Sequence, residues 1–356
     1  MYNDMLVGDG VLHAYNNSFE NARNETAEKV LGDIMGLANG GCAPGTEHSE
    51  AQWFRNFTAD EVAEATFLES DVDFGVYHST PIFDYFKDGY SSLESGIEMR
   101  NNNPKRVKCL GCVDPLSSDA TDEMERQVEE LDVDGFKFYP SFYRNGGKVK
   151  PLRLDDGLLP LVEKADELGV ENVAVHKVFP VGPVGQHHLS VGDVADTASM
   201  FPDLKFELLH PDLAFIEEIK LMLATHDNVW ANLEFSTVFM FLQPRRFAEI
   251  LGELLLWGDA ERILFSTGVP LVHPQAHIEA FWNFEYPDDM KDEYPELTDD
   301  LKRKLMSENL LDLYGWDADE LRAHVQEDGW AQRREAEGRP EPWSGVELEA
   351  EAAADD

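Results

Sequence analysis

Residues 160–210 read PLVEKADELGVENVAVHKVFPVGPVGQHHLSVGDVADTASMFPDLKFELLH, and this stretch decides the fold. A helical pattern, PLVEKADELG, gives way to the short apolar run NVAVH, which closes on His176. A glycine-bearing loop and a second helical pattern, VGDVADTASMF, then lead to LKFELLH, which closes on His210. Spacings of three and four residues alternating with short apolar runs are the mark of strand–helix–strand units in a parallel sheet.

The same order repeats on either side. Strands are expected at residues 5–13, 73–78, 106–113, 134–139, 172–177, 204–210, 228–235 and 262–267, with helical stretches between them. One of these, TADEVAEATFLES, opens on a Thr-x-x-Glu capping box from Thr58 to Glu61. Eight strands, each followed by a helix, are what a (β/α)₈ barrel requires, whereas a doubly wound sheet would more naturally stop short of eight. The barrel is expected as one domain over residues 1–320, with residues 14–57 forming a long insertion that would cap the rim. Residues 321–356 end in QRREAEGRPEPWSGVELEAEAAADD and are expected to be a loosely ordered acidic tail.

The chain has 29 basic and 70 acidic residues, a formal net charge of -41, spread over nearly every helical segment. Such a charge repels itself and destabilises the compact state unless salt screens it. It therefore implies a halophilic protein of a high-salt cytoplasm, with its thermal midpoint expected to rise towards molar KCl; a midpoint unchanged or falling in a melting series would overturn that. The charge also argues against nucleic acid and anionic membranes as partners, both of which need basic patches. MYNDMLVGDG has no basic start followed by a long apolar stretch, and no run approaches the ~20 apolar residues of a membrane span. A cytoplasmic protein is the expectation. Three cysteines do not suggest a disulfide framework. Cys109 and Cys112 have Cys-x-x-Cys spacing, but within a strand residues three apart point to opposite faces.

In a parallel barrel, the carboxyl ends of the strands converge on the rim that holds the chemistry. LVGDGVLH closes there on His13, DFGVYH on His78, NVAVH on His176, LKFELLH on His210 and NVWANLE on Glu234. Imidazoles so placed suit a divalent metal, zinc first and manganese or iron next, with His13 and His176 as ligands completed by one of His78, His210 or Glu234. Lys137 and Tyr139 alternate along DGFKFYP and so share a face, where Lys137 would meet a substrate carboxylate. Arg144, in SFYRNGGKVKPLR, belongs to a basic loop that would attract an anion or serve as counter-charge for the acidic surface.

Several segments together resemble a known family. NPKRVKCLGCVDP, ELDVDGFKFYP followed by PLVEKADELGVENVAVH, FPDLKFELLHPDL, RILFSTGVP and the closing LKRKLMSENLLDLYGW are similar in order to the amidohydrolase-related family that includes aminocarboxymuconate semialdehyde decarboxylase and other metal-dependent decarboxylases and hydrolases. The resemblance runs from about residue 5 to 316 and keeps Asp9, His13, His176 and His210. It departs at Val11, where the family carries the first histidine of a His-x-His pair, and at Gly268, where the family carries an aspartate. It implies a hydrolase or carboxy-lyase acting on a small organic acid, commonly as a homodimer. Catalytic roles would fall to His210, Lys137 and Glu234, and substrate contact to Tyr139, His78 and Arg144. Three arrangements are compatible with the altered positions. The metal is held by a rearranged set such as His13, His176 and His210, with Glu234 or His273 as base; Lys137 and the histidines act without metal; or the barrel only binds a small molecule or a partner protein.

Overall fold

The computed structural model describes residues 1–139, 141–144, 148–212 and 214–346, with the backbone alone at 141–144 and 148–151. The strands are β1 (Gly8–Leu12), β2 (Phe74–His78), β3 (Val107–Gly111), β4 (Gly135–Phe138), β5 (Ser141–Arg144), β6 (Lys148–Pro151), β7 (Asn172–His176), β8 (Lys205–Leu209), β9 (Val229–Asn232) and β10 (Ile263–Leu264). β5 and β6 pair with each other as an antiparallel hairpin, a feature the sequence reading leaves as loop. The other eight form one parallel sheet in the order β1-β2-β3-β4-β7-β8-β9-β10. The sheet closes on itself where Gly10 N–H donates to Phe265 O (3.1 Å) and His13 N–H to Val269 O (2.9 Å). This is a (β/α)₈ barrel.

Asp9 fastens that seam. Its carboxylate accepts the Thr267 N–H at 2.9 Å, the Val11 N–H at 3.1 Å and the Thr267 hydroxyl. Burial still pushes its pKa up to about 7, because three donors do not replace full hydration. Successive strand residues divide between two cores, as a two-residue period demands. Phe206, Leu208, Val173 and Val175 belong to the large core beneath the helices. Val76, Leu110, Ala174 and Leu264 join Leu310, Leu313 and Tyr314 of helix Asn309–Tyr314 in a second core.

Two expectations are corrected here. Cys112 lies beyond the end of β3 rather than inside it, although all three cysteines are buried free thiols. The segment after residue 320 is docked as far as residue 346; residues 347–356 lie outside the described residues. Helices Ala318–Glu327 and Gly329–Glu337 carry arginine anchors. Arg334 donates to Leu68 O (2.6 Å), Phe67 O (3.0 Å) and Asp71 (2.9 Å). Trp343 is buried against His48 (ring centroids 4.1 Å) and donates from Nε1 to Thr46 O (2.9 Å). Glu69 accepts the Trp343 N–H (2.7 Å), the Ser344 hydroxyl (2.7 Å) and the Gly345 N–H (3.0 Å). Mean composition hides this, since a few specific anchors hold the segment rather than a continuous apolar face. No helix among the described residues is long and apolar enough to cross a membrane.

Candidate active site

The rim formed by the carboxyl ends of the strands opens on a cavity with about 500 Å³ of empty space, part of it continuous with solvent. His13, Lys137, His176, His210 and Glu234 line it, so the barrel brings together five residues that the sequence placed at strand ends. Tyr15, Tyr90, Tyr139, Phe179 and Phe235 give it aromatic walls, and Ile34 and Leu37 of the insertion helix Glu25–Gly41 also face it. A larger, more open cleft between Arg100 and Trp316 lies at the amino ends of the strands. Its lysines are already paired, Lys105 with Glu320 and Lys108 with Asp134, and no histidine lines it. The rim cavity is where the chemistry sits.

The backbone at this rim is held in an uncommon conformation. Val178, His210 and Phe235 have positive φ angles of 65°, 61° and 63° just past β7, β8 and β9, and Gly268 follows β10 with φ 72°. Left-handed backbone at non-glycine residues costs about 1–3 kcal/mol each and clusters where function requires a side chain in a fixed position. The strain here falls on the turns that carry His176, His210 and Glu234.

His176 and His210 form the centre of the site. His176 Nε2 lies 2.8 Å from Phe179 O, and His210 Nδ1 lies 3.2 Å from Glu234 O. Carbonyl oxygens only accept, so each of those nitrogens carries a hydrogen. The two inner nitrogens, His210 Nε2 and His176 Nδ1, are 3.0 Å apart and need one proton between them. The pair therefore holds one proton more than two neutral imidazoles. Glu234 balances that charge, with Oε2 2.7 Å from His210 Nδ1. Burial would raise the Glu234 pKa, but the charge and contact of His210, followed by His13 and Lys137, hold it below the usual carboxylate range. His176 is pushed well below the ordinary histidine value, first by burial and then by His210 and Lys137. Tyr139 stacks on His176 with ring centroids 4.3 Å apart and planes 15° apart.

His13 lies across the cavity on a different hydrogen bond. Its Nδ1 donates to His78 O (2.8 Å), and its ring stacks on Tyr15 at 4.6 Å. Burial draws its pKa down to about 3, so it is neutral, with Nε2 as a lone-pair acceptor. Lys137 Nζ is 3.2 Å from His78 Nδ1 and 5.5 Å from the Tyr139 ring centroid. Burial draws the lysine down to about 8, against the opposing pull of Glu234 and Glu207.

The resemblance implies a divalent metal, and the donor set does not fit one. Both nitrogens of His176 and both of His210 are engaged, and Nδ1 of His13 is turned to a carbonyl. Val11 offers no donor. At Gly268 a Cβ would stand 2.6 Å from Glu234 Oε1, so the glutamate carboxylate fills the space beside that position. Among the described residues no group of three or more His, Cys, Asp or Glu is placed to hold a metal. His13 and His176 both line the cavity, with His176 Nδ1 3.0 Å from His210 Nε2 and His13 Nδ1 turned to the His78 carbonyl.

Other expected residues fall elsewhere. His78 does not line the cavity; it is fully buried, still inside β2 and in register with Leu110, one position deeper than the rim. Tyr139 does line it. The Arg144 side chain lies outside the described residues, while Arg153 from the same basic loop is taken up by Asp155 at 2.7 Å. His273 is buried against Glu69 (3.1 Å) beneath Trp343 and takes no part in the cavity. Glu207 was missed. It is buried in the middle of β8, accepts from Tyr314 OH (2.6 Å) and from Asn232 Nδ2 (2.5 Å), and stands 3.7 Å from His78 Nε2. A charged residue in the centre of the apolar run LKFELLH was the available signal.

The profile of the family described as Amidohydrolase matches residues 88–316, well over half of the chain. No curated protein matches the sequence. Solved structures with the same fold include an uncharacterised TIM-barrel protein from Bordetella bronchiseptica, 17% identical with a TM-score of 0.59, the alignment covering 87% of this chain and all (100%) of that one. 2,6-Dihydroxybenzoate decarboxylase from Rhizobium is 15% identical with a TM-score of 0.53, over 87% of this chain and 99% of that one. 5-Carboxyvanillate decarboxylase from Novosphingobium aromaticivorans, complexed with manganese and 4-hydroxy-3-methoxy-5-nitrobenzoic acid, is 12% identical with a TM-score of 0.56, over 88% of this chain and 97% of that one. At these identities the likeness is one of fold.

Proposed function

The chain belongs to the amidohydrolase family, and on that premise we propose that it is a carboxy-lyase acting on a small organic acid held in the rim cavity. The observation that carries this reading is the 3.0 Å contact between His176 Nδ1 and His210 Nε2, with the Glu234 carboxylate 2.7 Å from His210 Nδ1, on a wall that is otherwise mostly apolar and aromatic. Decarboxylation asks a site for two things: a desolvated place for the carboxylate, and a proton for the carbon left behind. Here His210 is the acid that delivers the proton, Glu234 holds the charge and recovers it, and His176 completes the pair. Tyr139 and Tyr15 stack on the site imidazoles and offer flat surfaces to a planar substrate. Lys137, the only lysine or arginine lining the cavity among the described residues, draws in the acid. Two of the similar folds are decarboxylases of aromatic acids, which supports this choice within the family. Hydrolysis is the weaker reading, because it needs an activated water and the donor set does not fit the metal that would activate one.

The test is carbon dioxide release in molar KCl from a panel of hydroxybenzoic and 3-oxo acids. The wild type is expected to turn over at least one of them, with turnover reduced about 10²–10⁴-fold in His210→Asn, the range of a lost general acid. No release from any acid, together with saturable binding, would favour a barrel that binds without catalysis.

A further inference from the structure

Decarboxylation also needs somewhere for the electrons of the breaking bond to go. The side chains that would hold a metal for this purpose are engaged with one another, so the sink must come from elsewhere in the cavity. Lys137 is the group in position. It is nearly fully buried yet lines the cavity, and no described carboxylate lies within ion-pairing distance of its Nζ. Its hydrogen-bond partner is His78 Nδ1 at 3.2 Å, which is an unusual neighbour for a lysine. An ammonium donates to that nitrogen, so His78 carries its own hydrogen on Nε2. Glu207 Oε1 stands 3.7 Å from His78 Nε2, beyond hydrogen-bond reach, so the carboxylate acts on the ring through its charge. Glu207 is fixed by Tyr314 OH and Asn232, and Asn232 Oδ1 also takes the Glu234 N–H at 2.9 Å. All three members of the Lys137, His78, Glu207 series are buried.

A nucleophile within hydrogen-bond reach of a base, with the base oriented by a third group, is the general signature of covalent catalysis. We propose that Lys137 and His78 form such a nucleophile–base pair, with the buried Glu207 charge behind it, and that Lys137 is a nucleophilic amine that captures the carbonyl of a 3-oxo acid as an iminium. This deepens the carboxy-lyase reading and rests on it for the release of carbon dioxide, though not for the iminium itself. The burial that lowers the Lys137 pKa to about 8 acts in the same direction, since a desolvated amine gives up its proton more readily. His78 takes one ammonium proton at Nδ1 only in passing, because burial and the charge of Lys137 hold its pKa well below the ordinary value; the Glu207 carboxylate 3.7 Å beyond it is the nearby counter-charge for that moment. The free Nζ lone pair attacks the ketone carbon; the carbinolamine takes back the proton left on His78 as it loses water, giving a protonated iminium. The carbon–carboxylate bond breaks, carbon dioxide leaves, and the bonding pair moves into the iminium to form an enamine. The proton held between His210 and His176 is delivered to the enamine carbon, and water hydrolyses the resulting iminium to ketone and amine. No oxidant or reductant is required. The arrangement also gives His78 a role that its distance from the rim denies it as a substrate contact.

The experiment is trapping. Protein in molar KCl is incubated with acetoacetate and sodium cyanoborohydride, digested and mapped by mass spectrometry. A reduced adduct on Lys137 is expected, absent in Lys137→Met. It should form about 10²-fold more slowly in His78→Asn and in Glu207→Gln, the scale of a lost general base, with circular dichroism confirming that each variant is folded. The wild-type peptide map decides the site even if a variant fails to fold. Adducts spread over surface lysines and unchanged by Lys137→Met would overturn the proposal, as would trapping at the wild-type rate in His78→Asn. Trapping on Lys137 without carbon dioxide release would uphold the iminium and remove the carboxy-lyase reading. Release unaffected by Lys137→Met would do the reverse.

Discussion

Glu234→Gln is expected to lower turnover about 10³-fold and to destabilise the protein by about 3 kcal/mol, the first being the scale of a lost acid–base partner and the second that of a broken buried ion pair. The amide keeps the shape of the side chain but removes the charge that balances the proton between His176 and His210. That proton sits in a site almost closed to water, with His13 and Lys137 nearby, so without its counter-charge it leaves for bulk solvent. The acid is then lost with the base, which is why one substitution has so large an effect. The stability component carries its own signature. The Glu234 pKa is depressed in the folded protein, so the pair contributes stability that is complete above the unfolded carboxylate value and is lost as pH falls through the lower folded value. Urea unfolding of wild type and Glu234→Gln should therefore show a gap at pH 7 that closes only below about pH 4.5, the unfolded carboxylate range. A gap independent of pH would mean that packing, not charge, accounts for the cost.

The same residue explains Gly268. A side chain there would meet the Glu234 carboxylate, and φ of 72° disfavours any residue with a Cβ. The missing carboxylate after β10 and the carboxylate that ends the run NVWANLE after β9 are thus two sides of one rearrangement. Sequence alone exposed each half, the absence at 268 and the acid at 234, but not their contact. The barrel was legible for a simple reason: its strands are buried on both faces and read as apolar runs, and the helices between them keep a separate period. His13, His176 and His210 were legible because parallel strands share one direction, so strand ends are rim positions. His78 obeyed the same rule and still fell short: it is the last residue of β2 but pairs with Leu110, one residue before β3 ends, and its ring meets Lys137 inside the barrel. Glu207 left only the signal of a charge within an apolar run, and such a charge reads as a solvent-facing residue unless the strand is known to line a closed barrel. The docked segment after residue 320 went unread because it is held at a few residues, Arg334 and Trp343 among them, whose several contacts composition averages away.

Acid should unfold this protein early and steeply. Burial holds His13 and His277 down to about 3 and His48 to about 4, and it pushes His78 and His176 well below the ordinary value. Each of these rings is neutral in the folded chain and takes a proton in the unfolded one once pH drops below about 6.5. The unfolded state then binds more protons, so stability is complete above about 6.5 and falls as pH is lowered towards the folded values, by about 1.4 kcal/mol per pH unit for each ring. A competing effect must be separated from this. Protonating carboxylates relieves the repulsion of a chain with net charge -41 and would stabilise it on acidification. That relief begins mainly below about pH 5, where carboxylates titrate, and molar KCl screens the repulsion in any case. Between about pH 6.5 and 5 in molar KCl the buried histidines outweigh the carboxylates, of which Asp9, pushed up to about 7, takes a proton in the folded chain and offsets about one ring. Chemical denaturation across that window should give a slope of several kcal/mol per pH unit, since at least three rings contribute. His277→Phe removes a titrating ring that lies outside the catalytic cavity while keeping an aromatic side chain, and should flatten the slope by about 1.4 kcal/mol per unit. A flat profile from pH 6.5 to 5 would show that these rings are not held neutral by burial. Glu234 would then be balancing more than the single proton between His176 and His210, and the acid assigned to this site would have to be reconsidered.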